Sequence, residues 1–254
     1  MKYPCVATSL IGFVQQVATA YIPHGYWFYS QGMVPEGKDP RTVDAKLVAK
    51  YGAGLSKWQR ARRKQTGLAN VQYIRHGRTF LLMATKGHHA FFEEEAAAIR
   101  DVRKTPIKVG GYAISARKGG RDGRLHTHVR VDRVAYAELL ARFVDRAGNA
   151  SNQWFAKEFY NLPFEPYAPV RRQYLLLLRR VNEVRVRSGR ARLPVEVLPL
   201  RRRIVRPFGP RLEHPESEPK GRGLASRISE GPGLVGIRCD GGDDFRGGLA
   251  DAIE

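Results

Sequence analysis

Residues 107–132 read IKVGGYAISARKGGRDGRLHTHVRVD, and this stretch decides the fold class. Apolar and polar side chains alternate on both sides of a basic segment rich in glycine, which is typical of two antiparallel β-strands joined by a turn. Segments with helical periodicity lie before and after it. The sequence therefore predicts an α+β fold, in which helices cover an antiparallel sheet and the C-terminal part is helical.

Other segments extend this prediction along the chain. An aromatic strand is predicted within residues 26–34, and a second hairpin is predicted from strands at 71–74 and 79–85. Asp39 is a suitable N-cap and Pro40 suits the first turn of a helix. The spacing of apolar residues predicts helices over residues 8–22, 39–52, 89–103, 134–148, 152–163 and 169–189.

The charge of the chain is strongly positive and unevenly distributed. Its 44 Lys and Arg exceed its 24 Asp and Glu, which gives a formal net charge of +20. From Gly209 onward, six basic and nine acidic residues give −3, so the first 208 residues carry +23. We therefore predict a basic domain over residues 1–208. Residues 209–254, rich in Gly, Ser, Pro and Glu, are predicted to form a disordered low-complexity tail.

A domain this basic repels itself, and a polyanion is its usual compensation. Arginine prevails in the later clusters, and its planar fork matches phosphate oxygens. We predict a nucleic-acid-binding protein; DNA or RNA, oligomeric state and sequence preference stay open. A structural component of a ribonucleoprotein particle is an alternative. The clusters are Lys57, Arg60, Arg62, Arg63 and Lys64; Arg117, Lys118, Arg121 and Arg124; Arg171, Arg172, Arg179, Arg180, Arg185 and Arg187; and Arg201, Arg202, Arg203 and Arg206.

Cysteine content and hydropathy bear on location. Cys5 and Cys239 lie near opposite ends of the chain, so no CxxC pair suggests a zinc ribbon or a disulfide framework. This favours a reducing, cytoplasmic setting. No apolar run approaches the roughly 18 residues of a membrane span, so no membrane partner is expected. The aromatic side chains of residues 26–29 suit the core, although a base-stacking platform on an exposed strand is an alternative.

His126 and His128 form the one pattern that suggests chemistry. Residues two apart on a strand point to the same face, so the two imidazoles would lie side by side. Neutral imidazole nitrogens are common ligands of divalent metals. The simpler alternative is that both histidines are exposed on a basic hairpin, where they contact phosphate or nothing.

The stretch HTHVRV resembles the histidine strand of HUH endonucleases, which include rolling-circle replication initiators, relaxases and some transposases. Their pattern is His, hydrophobic, His and a hydrophobic run; Thr127 and Arg130 depart from it. The resemblance implies a DNA-nicking enzyme of a replicon or mobile element, with Mg²⁺ or Mn²⁺ held by His126 and His128. It also implies a tyrosine nucleophile, for which Tyr160 is the first candidate.

Several residue assignments remain open within this resemblance. Rival nucleophiles are Tyr136, Tyr167 and Tyr174, and a third metal ligand would come from His24, Glu138 or Glu158. The sequence contains no P-loop, GxSxG or HExxH motif. Whether the protein is an enzyme is therefore not decided by sequence alone.

Overall fold

The computed structural model describes residues 3–119, 122–162, 167–198, 200 and 205–209. The described chain contains seven α-helices and seven strands in two antiparallel sheets, so the predicted α+β class is confirmed. The strands form two separate sheets instead of one. None of the helices in the described ranges is both long and apolar enough to cross a membrane.

The first sheet forms in the N-terminal half and has the strand order β2-β3-β1-β4. The predicted second hairpin is its β2-β3 pair, in which Val71 lies opposite Ala84 and His76 lies opposite Thr79. The aromatic strand β1 pairs with β3 on one side and with the short β4 on the other. The strands are β1 (Phe28–Met33), β2 (Val71–His76), β3 (Thr79–Ala84) and β4 (Arg100–Asp101).

The helices of this half begin at residues with local capping signals. The Asp39 side chain accepts a hydrogen bond from the amide of Arg41 at the start of α2, and Ser56 forms a capping box with Gln59 at the start of α3. Helix α1 continues as a π-helical turn and a 3-10 turn to His24. The helices are α1 (Leu10–Gln16), α2 (Pro40–Lys50), α3 (Lys57–Gln65) and α4 (Phe91–Glu94).

The second sheet contains the stretch that predicted the fold. Its order is β5-β6-β7, with β5 (Ile107–Val109), β6 (Tyr112–Lys118) and β7 (Leu125–Val131). Gly110 and Gly111 alone connect β5 to β6, and both have a positive φ, as a tight type I′ turn requires. The β6-β7 pair is the predicted basic hairpin.

Three helices follow the second sheet: α5 (Arg133–Ala147), α6 (Asn152–Tyr160) and α7 (Ala168–Arg187). The side chains of Asp132 and Ser151 cap α5 and α6 by accepting backbone hydrogen bonds. Helix α7 packs against both α5 and β7. Its apolar stripe, which includes Val170, Tyr174, Leu177 and Val181, is buried in the larger of two cores.

Two buried polar networks support the first sheet. Asp44 of α2 forms a bidentate ion pair with Arg75 of β2, and the Tyr73 hydroxyl donates to the same carboxylate. Glu95 accepts hydrogen bonds from the hydroxyls of Tyr51 (2.6 Å) and Ser30 (3.1 Å). Both networks satisfy side chains that would otherwise be costly to bury.

The helix predicted over residues 89–103 is wrong, because only Phe91–Glu94 is helical. Glu95 is drawn into the protein interior by Tyr51 and Ser30, and Arg100–Asp101 pairs with β1. These tertiary contacts override a helical propensity that comes mainly from alanine and glutamate. The predicted tail lies outside the described residues except for Gly209, as do Arg121, Arg201, Arg202 and Arg203.

Candidate nucleic-acid interface

One face of the basic hairpin carries both histidines together with Arg117. In the β6-β7 register, Arg117 lies opposite His126 and Ser115 lies opposite His128. Strand alternation places His126, His128 and Arg130 on this face. Val129 and Val131, on the other face, are buried in the core. The core therefore fixes which side chains the hairpin presents outward.

His128 lies at the centre of a strongly positive environment. Partial burial lowers the pKa of its imidazole, and the nearby charges of Arg117, Arg130 and Arg172 lower it further. Its Nδ1 atom is buried and has no hydrogen-bond partner within the described residues. We call Arg117, Arg130 and Arg172, together with His128, the arginine face. These arginines come from β6, β7 and α7 respectively.

A side chain of α7 fixes Arg172 beside the hairpin. Gln173 accepts a hydrogen bond from the Val131 amide (2.8 Å) and donates one to the Val131 carbonyl (3.0 Å). The main-chain carbonyl of Gln173 in turn accepts a hydrogen bond from the Tyr136 hydroxyl (3.1 Å). These bonds join α7 to the edge of β7 and to α5. The N-terminal part of α7, which includes Arg172, is thereby held next to the second sheet.

Acidic side chains do not neutralise the arginine face. The nearest carboxylates in sequence are already paired: Asp122 Oδ2 lies 2.8 Å from His126 Nε2, and Asp132 Oδ2 lies 3.3 Å from Lys108 Nζ. Within the described part of the chain, no carboxylate forms an ion pair with Arg117, Arg130 or Arg172. Sequence reasoning missed Arg130, although the strand alternation that pairs His126 with His128 also includes it.

The remaining arginines of α7 have different environments. Arg179 and Arg180 both pair with Glu183, at 3.4 and 2.8 Å. Arg185 is buried and donates to the carbonyls of Ala191 and Ala150 and to Asn152, with its guanidinium over the Phe155 ring. The prediction that Arg185 contacts phosphate is wrong. Its position one turn after buried Val181 was the signal that it faces the core.

The basic residues predicted at 57–64 lie on α3, where Lys57, Arg62 and Lys64 are exposed. Arg60 and Arg63 donate instead to the carbonyls of Leu55 and Ala69. Sequence reasoning missed the one aromatic side chain of this helix, Trp58, which is 85% exposed. A tryptophan within a run of basic residues was the available signal.

The last basic cluster lies in residues 200–209, which we call the C-terminal arm and of which the structure describes residues 200 and 205–209. Its Val205 carbonyl accepts a hydrogen bond from the Gln15 side chain, and its Pro207 carbonyl accepts from the Thr8 amide. This part of the arm therefore lies against the start of the chain. Arg206 is exposed.

The residues proposed to hold a metal do not form a complete set of ligands. Within the described ranges, no group of three His, Cys, Asp or Glu side chains could hold a metal ion. His126 already contacts Asp122, while His24 bonds to the Ala20 carbonyl and Glu158 pairs with Arg142. Three arginines around His128 also repel a cation. The described side chains thus do not fit a bound Mg²⁺ or Mn²⁺.

The candidate tyrosines differ in accessibility. Tyr160 is 64% exposed at the end of α6, whereas Tyr174 is fully buried. The Tyr136 hydroxyl is engaged with Gln173, and Tyr167 precedes α7 and is partly buried. The aromatic side chains of β1 and its flank face the interior, since Tyr26 and Tyr29 belong to the larger core. They do not form an exposed stacking platform.

Comparison with known proteins gives no relative from which a role could be transferred. No protein-family model matches the chain, and no curated protein matches it either. The geometry of the described residues is therefore the basis for a functional proposal.

Proposed function

We propose that the protein binds nucleic acid through the arginine face, with backbone phosphates as the ligands. The observation that carries this proposal is geometric: strand register places Arg117 and Arg130 on the face of His128, Gln173 holds the neighbouring Arg172 beside the same strand, and no described carboxylate pairs with the three arginines. Like charges held together raise the free energy of the folded protein. Bound phosphates would relieve that repulsion.

The donor groups of the arginine face suit the phosphates of a polyanion better than they suit an isolated carboxylate. Guanidinium groups present N–H donors in a planar fork that matches phosphate oxygens. The lowered pKa of His128 keeps its imidazole neutral near pH 7, so it can still donate one hydrogen bond without adding charge. A polyanion would engage several guanidinium groups at once, and the net charge of the chain favours such a ligand.

Charge-matched variants test this proposal. Arg117→Gln with Arg172→Gln removes two charges from the arginine face, while Arg179→Gln with Arg180→Gln removes two charges that are both paired with the single carboxylate of Glu183. Affinity for labelled single-stranded and duplex DNA would be measured by fluorescence anisotropy over a range of salt concentrations. We expect the first variant to lose about tenfold or more in affinity. Its slope of log affinity against log salt should fall by about 0.7–0.9 per lost contact.

The control variant decides between a local and a diffuse interface. If both variants lose equal affinity, net charge alone governs binding and the arginine face is not the contact surface. If the wild-type protein binds neither DNA nor RNA at low salt, nucleic-acid binding itself is wrong. A preference of more than tenfold for one sequence would argue against the alternative of a structural ribonucleoprotein component.

The nicking activity implied by the HUH resemblance stays a prediction, as does a role in a replicon or mobile element. It would be supported by a covalent protein–DNA adduct that forms with Mn²⁺ and disappears in Tyr160→Phe. Tight binding without an adduct would leave the arginine face as a binding surface alone.

A further inference from the structure

Helix α3 presents an aromatic ring and several positive charges to solvent. Trp58 is 85% exposed, which is more than any other large hydrophobic residue in the described part of the chain. Arg62 and Gln65 follow at helical spacings of four and seven residues, so they share its side of the helix. We call Trp58 and Arg62 the Trp58 surface; Gln65 lies beside it on the same side of the helix.

The fold does not require Trp58 at this position. None of the nine residues of α3, all of which the structure describes, is buried. Polar bonds attach the helix: Arg63 donates to the Ala69 carbonyl (3.1 Å), and Asn70 donates to the Arg60 carbonyl (2.9 Å). A tryptophan ring left in water gives up favourable burial. A ligand that covers the ring would recover it.

The charge of α3 defines the chemistry of that ligand. Residues 57–65 contain five basic residues and no acidic one. Within the described chain, none of the five forms an ion pair with a carboxylate. An apolar protein groove would cover the ring but would bury these charges unpaired. The ligand must therefore offer both a flat aromatic surface and negative charge.

Single-stranded nucleic acid meets both requirements. Its bases are free to stack on a protein ring, whereas duplex bases are already stacked on one another. We propose that Trp58 stacks on an unpaired base of a single strand while Lys57, Arg62 and Lys64 contact its phosphates. This inference rests on the proposed function and names single-stranded nucleic acid as its substrate class.

The test compares one single strand with one duplex. A labelled oligo(dT) strand, which has no base-paired structure, and a duplex of equal length would be titrated with the full-length protein. Trp58→Ala is expected to weaken binding of the single strand about tenfold and to change duplex binding less than twofold. Trp58→Phe, which keeps a smaller ring, should fall between. Gln65→Ala, on the same exposed side of α3, is the matched control and should bind as the wild type does.

Tryptophan fluorescence gives a second, independent measurement. The other two tryptophans are only partly exposed: Trp27 lies 4.5 Å from the Arg103 guanidinium, and Trp154 packs against Phe143 and Phe155. Oligo(dT) should therefore quench the emission of the wild-type protein, and the quenching should largely disappear in Trp58→Phe. Unchanged quenching in that variant would contradict stacking on Trp58.

The outcomes separate this inference from the proposed function. If Trp58→Ala leaves single-strand affinity unchanged, or weakens strand and duplex equally, the stacking proposal is wrong. If the double variant Arg117→Gln with Arg172→Gln still abolishes binding in that case, the arginine face remains the proposed binding surface and only the role of the Trp58 surface is excluded. If the wild-type protein binds neither of these oligonucleotides nor their RNA counterparts at low salt, both proposals fail. An unchanged melting temperature of Trp58→Ala would exclude misfolding as the cause of any loss.

Discussion

The arginine on β2 of the first sheet and those on the β6-β7 hairpin of the second sheet occupy opposite environments. On β2 of the first sheet, Arg75 is buried and its guanidinium lies 2.7 and 2.8 Å from the two oxygens of Asp44. On β6 and β7 of the second sheet, Arg117 and Arg130 are at least partly accessible and have no carboxylate partner within the described chain. The first arrangement is internally complete, and the second leaves its charges available to a ligand.

The difference follows from the cost of burial. A buried guanidinium without a partner would lose its hydration with nothing in return, so Arg75 requires Asp44. An arginine at the surface keeps its water and needs no partner for the chain to fold. Arg185 shows a third solution, since carbonyl and amide oxygens satisfy it and a phenylalanine ring covers it. Positive charge in the sequence therefore has three separate structural roles.

The largest expected loss of stability comes from removing the carboxylate partner of Arg75. Asp44→Ala leaves a buried guanidinium unpaired and should lower the free energy of unfolding by about 3–5 kcal/mol. Arg117→Gln should change it by no more than about 0.5 kcal/mol, because a surface position loses little on substitution. Chemical denaturation would measure both. Equal losses of unfolding free energy in the two variants would contradict the different environments described for Arg75 and Arg117.

A smaller loss of stability is expected at Glu95, the acid of the second buried polar network that supports the first sheet. Glu95→Ala leaves the buried hydroxyls of Tyr51 and Ser30 without their acceptor and should cost about 2–3 kcal/mol. Glu95→Gln retains an acceptor oxygen and should cost less.

Glu95 also predicts a pH dependence of stability. Burial raises the pKa of its carboxyl, and hydrogen bonds from Tyr51 and Ser30 offset this in part. The folded state therefore holds the proton more tightly than the unfolded state. The contribution of Glu95 to stability falls as the pH rises from below 4.5, the ordinary value, through the raised folded pKa. Glu95→Gln should remove this contribution; if the pH profile of unfolding is unchanged, the acid is not perturbed.

The smallest expected effect on stability lies at His128, where stability changes with pH in the opposite direction to that expected at Glu95. Burial lowers the pKa of the imidazole, followed by the charges of Arg117, Arg130 and Arg172, so the unfolded state binds the proton first. The folded protein should lose stability as the pH falls from above 6.5 through the lowered folded pKa. His128→Gln should reduce this loss in thermal melts. An identical acid profile for the variant would show that the pKa of His128 is not lowered in the folded protein.

Local signals made much of the fold predictable. The cap at Asp39, the alternation at 107–131 and the periodic stripe of α7 each specify an element from neighbouring residues alone. The prediction failed at residues 89–103, where the local preference for helix is overruled by contacts distant in sequence. Glu95 bonds to Tyr51 and Ser30, and Arg100–Asp101 adds to the first sheet. Single-sequence patterns contain no information about such partners.

The candidate site was predictable only in part. Strand period alone places His126 and His128 on the same face, and composition alone indicates a polyanionic ligand. The position of Arg172 beside His128 depends on the two hydrogen bonds between Gln173 and Val131, which lie 42 residues apart. Trp58 could have been noticed in the sequence, but its exposure depends on how α3 is attached.

The sequence by itself determined the α+β class, the positions of most elements and the excess of positive charge, because these depend on spacing and composition along the chain. Only the tertiary structure decided which arginines are paired with acids, which are buried and which remain available. That choice depends on burial and on partners brought together from distant segments, as Asp44 is to Arg75 and α7 is to β7. The same residue type stabilises the interior at one position and forms a candidate binding surface at another.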